Sequence, residues 1–514
     1  MKIIVSPKNV YKFISEYINV FKEYTYLELE NINNITKLNC SELILINEHI
    51  WKKIPDYIFK LPFVISFWNI EQLINERKIS ILENLNLLQK KCGYNILIYD
   101  YNLTNIKVLN ENNFKTKYIP YISTEIEINF LSSLKRTKKE YDICFIGCLN
   151  NRRENIINEL KKNNIRVLLI TQLYGNKRDY EISKCNFILN IHFEEYFNIF
   201  ESIRCNRFLQ SGYNIISEDS IDIERTTKNL NLFTYDKIVE KTIDLINKKK
   251  HFDEFINYIK DCLKPKNNCE LIEADIYSSN IYENLIQDGI MIIENLENIN
   301  QINKGSDCLF INNNVILRKN FPLQIDWLKN DGKIKFDNSR IPLYRRFIPP
   351  PIETINHIFI ISKIILATSN KNKNYIEYGV RTGVCVEKIS EYVNNIYCVD
   401  ICDYKPQKNN IFFYKMLTDE FSEKILNTLN FDYAFIDADH SHKQVMKDFM
   451  YIFDRINTNG YIFLHDTYPC EKKFLSSDYC NDCYLTPLKI REKFPLIEML
   501  TLPINPGFTI IRKS

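Results

Sequence analysis

The chain has 514 residues, 45% of them hydrophobic and 25% charged, the balance of an ordinary folded protein and not of a disordered one. Its 67 Lys+Arg against 64 Asp+Glu leave a net charge of +3, so no global pull toward nucleic acid or an anionic membrane is expected, and no nucleic-acid partner. No run reaches the ~18–20 apolar residues of a membrane span; the strongest, HIFIISKIILA at 357–367, is short and contains Lys363, so no transmembrane segment is expected.

In chain order, residues 1–135 offer four β-rich runs, MKIIV, ELILIN (42–47), FVISFW (63–68) and YNILIYD (94–100), alternating with amphipathic stretches as in an α/β domain. The opening MKIIVSPK is too brief an apolar run, cut by Pro7, to form the ~7–15-residue core of a secretory signal. The charged stretch SSLKRTKKEYD reads as a linker. A second half, 136–265, begins with YDICFIG (141–147), RVLLIT (166–171), FILNIH (187–192) and YNIISE (213–218). Gly147 ends its first strand ahead of a helix whose first turn carries Arg152 and Arg153, and forked guanidinium groups there suit diphosphate oxygens. Glu201 falls on a helix followed by Gly212 and a strand. Glycine carries extra weight here, because the chain has only 11 against a usual ~7%.

These residues resemble the nucleotide-sugar half of a GT-B glycosyltransferase, in which two Rossmann-like domains face each other across a cleft. The resemblance implies a nucleotide-sugar donor held by Gly147, Arg152 and Glu201, the last on the donor ribose. It makes residues 1–135 the acceptor half, with FWNIEQL (67–73) near the cleft, and a glycan or glycoconjugate the acceptor. Many retaining members have two glutamates with seven residues between them; Glu194 and Glu201 have six, so only Glu201 carries over.

Residues 266–351 read as a linker or accessory segment. CLFINNNVILR (308–318) suggests a hairpin, and the prolines 349–351 of LYRRFIPPP, which can continue neither a helix nor a central strand, mark a boundary. The third region, 352–514, opens with an apolar helix. The strand in NYIEYGVRTGV (374–384) ends at Gly379, Gly383 follows four residues on, and then comes the helix CVEKISEYV. Strand, glycine turn and helix present backbone N–H groups to a ligand. The next strand, NIYCVD, ends in Asp400, 21 residues after Gly379 (400 − 379), where an acid is placed to bind ribose hydroxyls. A nicotinamide enzyme shares that layout, but its two glycines two residues apart are missing at Val380-Arg381.

Two later strand ends carry the chemistry. FDYAFIDADHSHKQVMKDF (431–449) brings Asp437, Asp439 and His440, and GYIFLHDTYP (460–469) brings His465 and Asp466. Carboxylates on neighbouring strand ends suit a hard divalent cation. Asp437 is also open to capping the following helix, and His442 reads as a solvated helix residue. PLIEMLTLPINPGFTIIRK (495–513) reads as an antiparallel hairpin closing the sheet. Fifteen cysteines without a repeating framework predict free thiols in a reducing, cytoplasmic setting. Cys470, Cys480 and Cys483 have spacing for three zinc ligands, with no fourth nearby.

Residues 352–514 resemble a class I S-adenosylmethionine (SAM) methyltransferase, of the group with an IDADH strand end and a later HD-T strand end. The resemblance implies SAM contacts at Glu377, Gly379 and Gly383, with Asp400 on the ribose. By similarity to metal-dependent O-methyltransferases of sugars and catechols, it makes Asp437 and Asp466 ligands of Mg²⁺ or Mn²⁺ and puts Asp437, His440 and His465 in catalysis. His465 and Thr467 stand where those families often have an acid and an Asn. The expected fold class is thus α/β: a GT-B-like pair of Rossmann-like domains, then a Rossmann-like class I methyltransferase domain with a C-terminal antiparallel hairpin. The expected function is a bifunctional glycan-synthesis enzyme that transfers a sugar and methylates a sugar hydroxyl. Two alternatives are a SAM-dependent O-methyltransferase of a small molecule or protein with a non-catalytic N-terminal scaffold, and a binding protein with two inactive Rossmann domains.

Overall fold

The structure, a computed structural model, describes residues 2–221 apart from 13 (side chain), 16, 19–20, 22, 47–49 and 136. It further describes residues 230–263, strands within 271–318, and residues 355–514 apart from 370–371, 470–471 and 503–505. The chain divides into two compact units, residues 1–246 and 247–514.

The first unit holds two parallel sheets. One consists of β1 (Lys2–Ser6), β2 (Tyr24–Glu28), β3 (Glu42–Ile46), β4 (Val64–Asn69), β5 (Leu97–Asp100) and β6 (Lys115–Tyr118), in the order β2-β1-β3-β4-β5-β6. The other consists of β7 (Tyr141–Ile146), β8 (Val167–Ile170), β9 (Cys185–Asn190), β10 (Asn214–Glu218) and β11 (Leu230–Phe233), in the order β11-β10-β9-β7-β8. Helices cover both faces of such sheets, so central strands read as unbroken apolar runs; Ile3, Ile4 and Val5 and all of Leu43–Ile46 are fully buried. Side-chain caps start three of the helices described in this unit. Asn102 accepts the N–H of Asn105, Thr124 that of Glu127 and Asn150 that of Arg153, each relieving an orphan donor of the first turn.

The second unit is built on one eleven-stranded sheet: β12 (Leu271–Ala274), β13 (Ile290–Ile293), β14 (Asp307–Ile311), β15 (Asn314–Arg318), β16 (Asn374–Tyr378), β17 (Asn395–Asp400), β18 (Ile411–Lys415), β19 (Phe431–Ile436), β20 (Ile456–His465), β21 (Glu498–Leu502) and β22 (Phe508–Arg512). The order is β12-β13-β15-β14-β21-β22-β20-β19-β16-β17-β18. β16 to β20 run parallel, and β22 lies antiparallel between β20 and β21. β14 and β15 form the hairpin expected at 308–318, and β14 continues antiparallel onto β21 at Cys308 and Met499. The prolines at 349–351 lie outside the described residues. Side chains alternate across β16: Tyr375 enters one core with Ile360, Ile361, Ile364 and Ile365 of the helix His357–Thr368, while Ile376 and Tyr378 enter another with Val445, Phe449 and Ile452 of the helix His442–Arg455.

Strand order reverses at β16, with β17 and β18 on one side and β19 and β20 on the other. A crevice opens beyond the carboxyl ends of the strands at such a switch point. The twelve described cysteines are all free thiols, and no described helix is long and apolar enough to cross a membrane.

Candidate functional site

The glycine turn joins two strand ends directly. Gly379 has φ +90°, and a Cβ there would lie 2.3 Å from the carbonyl oxygen of Asp437, so only glycine lets β16 end against β19. The N–H of Asp437 in turn donates to the Tyr378 carbonyl at 2.8 Å. Gly383, at φ +77°, opens the helix Val384–Ile389 under the ring of Tyr404, 2.0 Å from where a Cβ would sit.

Asp400 anchors this turn. Its Oδ2 accepts the N–H groups of Val380 and Arg381, each at 2.7 Å, and its Oδ1 accepts that of Cys402 at 2.7 Å. Burial raises its pKa, but these backbone donors prevail and hold it below the usual carboxylate range. Most of the carboxylate expected on a ribose is therefore spent on its own loop. Glu377 is 1% exposed and accepts the Tyr375 hydroxyl at 2.6 Å. Burial pushes its pKa up to about 8, so it is largely protonated at neutral pH. Val384, Ile401 and Leu417, just beyond β16, β17 and β18, are exposed and give this stretch of the rim an apolar surface that the sequence reading did not pick out.

The other side of the crevice is charged. One donor atom each from Asp437, His440 and Asp466 lie within 4.8 Å of one another. His440 Nε2 is 3.2 Å from Asp466 Oδ2 and 3.9 Å from Asp437 Oδ1, and its Nδ1 faces the carbonyl of Tyr479. His465 Nδ1 stands 3.3 Å from both Asp437 Oδ1 and Asp466 Oδ2. Burial alone would lower the pKa of His465; the two carboxylates outweigh it and hold the imidazolium well above the ordinary value. Burial would raise Asp466, but His465 and His440 hold it low. Asp466 sits in the left-handed region at φ 59°, a conformation Asp tolerates better than most residues, and its Oδ1 accepts the Cys480 thiol at 3.4 Å.

His357, which no motif marks, also belongs here. Its ring packs edge-on against His465 (centroids 4.9 Å apart) and stacks on Phe435. Burial and the charge of His465 push its pKa down to about 4. Asp437 does not cap the helix that follows: Asp482 takes the His442 N–H at 2.7 Å and pairs with the ring at 2.7 Å, so His442 is a paired residue and not merely a solvated one. Asp439 turns to the N–H and hydroxyl of Ser441. Cys483 donates to the His465 carbonyl, Cys470 lies outside the described residues, and among the described residues no metal-sized cluster includes Cys480 or Cys483.

In the first unit, Gly147, Arg152 and Glu201 also converge on strand ends. Arg152 forks onto both oxygens of Glu218 and donates to the His192 carbonyl. Arg153, 2% exposed, spends its donors on the carbonyls of Ile191 and Cys148, and burial beside Arg204 pushes its pKa down to about 10. Glu201 lies just before the helix Ser202–Gln210, not within it, 3.0 Å from Arg204 and 3.6 Å from Arg153. Arg204 itself lies against Gly147. Of FWNIEQL, Trp68 is core, while Gln72 exchanges two hydrogen bonds with the backbone of Ile199.

Residues 376–467 match a family model described as a methyltransferase domain. "Uncharacterized protein L137" of Acanthamoeba polyphaga mimivirus is 33% identical over 267 residues, covering 50% of this chain and 35% of that protein. "Uncharacterized protein L140" of the same virus is 30% identical over 238 residues, covering 44% of this chain and 76% of that protein. The chain belongs to the family of this second viral protein. It spans about a third of the length of L137. Among solved structures, the O-methyltransferase TomG from Streptomyces achromogenes, in complex with SAM, is 9% identical, covering 28% of this chain and 74% of that one, with a TM-score of 0.23. Within this family member, the methyltransferase match takes in the glycine turn, Asp400, Asp437, His440, His465 and Asp466; His357 and all of the first unit lie outside it.

Proposed function

We propose that the second unit is a SAM-dependent O-methyltransferase acting on a hydroxyl of a glycan or small molecule. The observation that carries this reading is the meeting of Asp437, His440 and Asp466 beside the Gly379 turn, at the switch point of a parallel sheet. The exposed Val384, Ile401 and Leu417 offer the apolar cover that a purine ring needs, next to Glu377, Gly379, Gly383 and Asp400. The donor set suits a divalent cation on Asp437 and Asp466. When bound, SAM supplies an electrophilic methyl group, and a divalent cation lowers the pKa of a coordinated oxygen by several units.

The chain's own residues do the rest. Asp437 and Asp466 position the acceptor hydroxyl near the methyl group, and much of the rate gain comes from that orientation. His465, 3.3 Å from both carboxylates, steadies them, and Asp437 and His440 are the candidate proton acceptors. The test is methyl transfer from labelled SAM to a panel of glycans and phenols. EDTA should stop it, Mg²⁺ or Mn²⁺ should restore it, and Asp466→Ala should lose at least ~100-fold in rate while still binding SAM. Full activity in EDTA defeats the metal-assisted part of the reading, and no calorimetric heat with SAM defeats the whole of it.

A second reading gives the first unit sugar transfer from a nucleotide-sugar donor to a glycan, which would make the protein bifunctional. It is supported by the paired parallel sheets, with Gln72 reaching Ile199, and by two arginines, Arg153 and Arg204, beside Gly147. The filled fork of Arg152 favours the alternative of a non-catalytic scaffold.

A further inference from the structure

We infer that His440 is itself a metal ligand, through Nε2, so that the site takes a first-row transition cation such as Mn²⁺, Fe²⁺, Co²⁺ or Zn²⁺ in preference to Mg²⁺, an inference that rests on the metal-assisted reading above. His440 offers a nitrogen beside two carboxylates, all within 4.8 Å. Mg²⁺ favours oxygen ligands and keeps several waters, whereas imidazole suits the later transition ions.

The orientation of the ring supplies an independent reason. A carbonyl oxygen can only accept, so the nitrogen facing Tyr479, Nδ1, carries a hydrogen. Nε2, 3.2 Å from Asp466 Oδ2 and 3.9 Å from Asp437 Oδ1, is therefore the nitrogen that can exchange its proton for a cation held between the two carboxylates. Imidazoles that bind metals are characteristically pinned this way, with the remote N–H on a backbone carbonyl or a carboxylate. Asp466 is divided to the same end: Cys480 occupies Oδ1, and Oδ2 faces the site. His465 Nδ1 stands 3.3 Å from both carboxylates and fixes their orientation. With its lone pair on a cation, His440 cannot take the hydroxyl proton, and of the two candidate acceptors only Asp437 remains.

The full chain, stripped with a chelator, is titrated with Co²⁺ and followed by its visible absorption, in parallel with Mg²⁺ by equilibrium dialysis. Because most sites bind Co²⁺ above Mg²⁺, the deciding readout is how a variant changes the ratio. His440→Ala should weaken Co²⁺ at least ~10-fold and alter its spectrum while Mg²⁺ affinity stays within about twofold. In the unmutated protein, the spin-echo spectrum of bound Mn²⁺ should show modulation from a nitrogen ligand, a readout that survives even if the variant fails to fold. An unchanged Co²⁺ affinity and spectrum in a folded His440→Ala variant, or Mn²⁺ without nitrogen modulation, overturns the assignment. Methyl transfer that still proceeds in those circumstances leaves the proposed function standing. Tight, His440-dependent Co²⁺ binding without any methyl transfer supports the ligand and removes the proposed function instead.

Discussion

Two clusters of charge sit at the carboxyl ends of parallel strands in this protein, and they are built to opposite plans. In the first unit each guanidinium is already answered: Arg152 by Glu218, Arg204 by Glu201 and Asn190, Arg153 by backbone carbonyls. Breaking a buried pair of this kind strands its partner, so such networks hold geometry whether or not they hold a ligand. In the second unit two carboxylates face two imidazoles, and Asp437, His440 and Asp466 present donor atoms close enough together to hold a cation. Convergence at a strand end is thus common to both clusters, and availability of the donor atoms is what distinguishes them.

The largest expected effect comes from Gly379→Val. Its Cβ would strike backbone, at 2.3 Å from the Asp437 carbonyl, so the crevice must deform and SAM binding should vanish in calorimetry with a marked drop in melting temperature. Wild-type SAM affinity in this variant would mean that the turn is not part of the binding site.

Next comes a pH effect. The pKa of Glu377 in the folded protein, about 8, lies above its ordinary 4.5, so the native state holds a proton that the unfolded chain releases. Its contribution is complete below about 4.5 and fades as pH rises toward 8. Glu377→Gln keeps an acceptor for Tyr375 without the ionisation. Without SAM, it should flatten the loss of urea stability between pH 5 and 8 and gain on the order of a few kcal/mol at the upper end. Parallel curves for the two proteins would show that the acid ionises normally and that burial there is not uncompensated.

The smallest effect separates ligand from scaffold in the first unit. Glu201→Ala should weaken nucleotide-sugar binding about tenfold and leave SAM binding unchanged, whereas a purely structural ion pair would cost only about 1 kcal/mol of stability with no change in nucleotide affinity.

The sequence disclosed the centre of each sheet better than its margins. β1, β3, β4, β7, β9, β10, β16, β17, β19 and β20 are buried on both faces and stand out as apolar runs. The strands β2, β6, β11, β12, β13 and β18 escaped notice, and all but β13 are edge strands. KTKY in β6 shows why: its two lysines face solvent and no apolar run remains, whereas IFFYK in β18 carries such a run and was missed all the same. At the site, Asp437, His440, His465 and Asp466 were visible because strand ends announce themselves. His357 was not, since it reaches the cluster from a helix at least 80 residues earlier (437 − 357), and nothing local marks that docking. The spending of Asp400 on its own loop, and of Arg152 on Glu218, likewise depends on pairings that only the folded chain reveals.

The junction of β14 with β21 bears on where this protein can be cut. Without it, β21 would leave a row of unpaired backbone groups open to any passing chain, the usual seed of edge-to-edge association. Leu309 and Ile311 of β14 are also fully buried in the same core as the helix His357–Thr368. A fragment starting at residue 352 would lose that cover and part of its interior together, so the smallest soluble methyltransferase piece should reach back at least to β14.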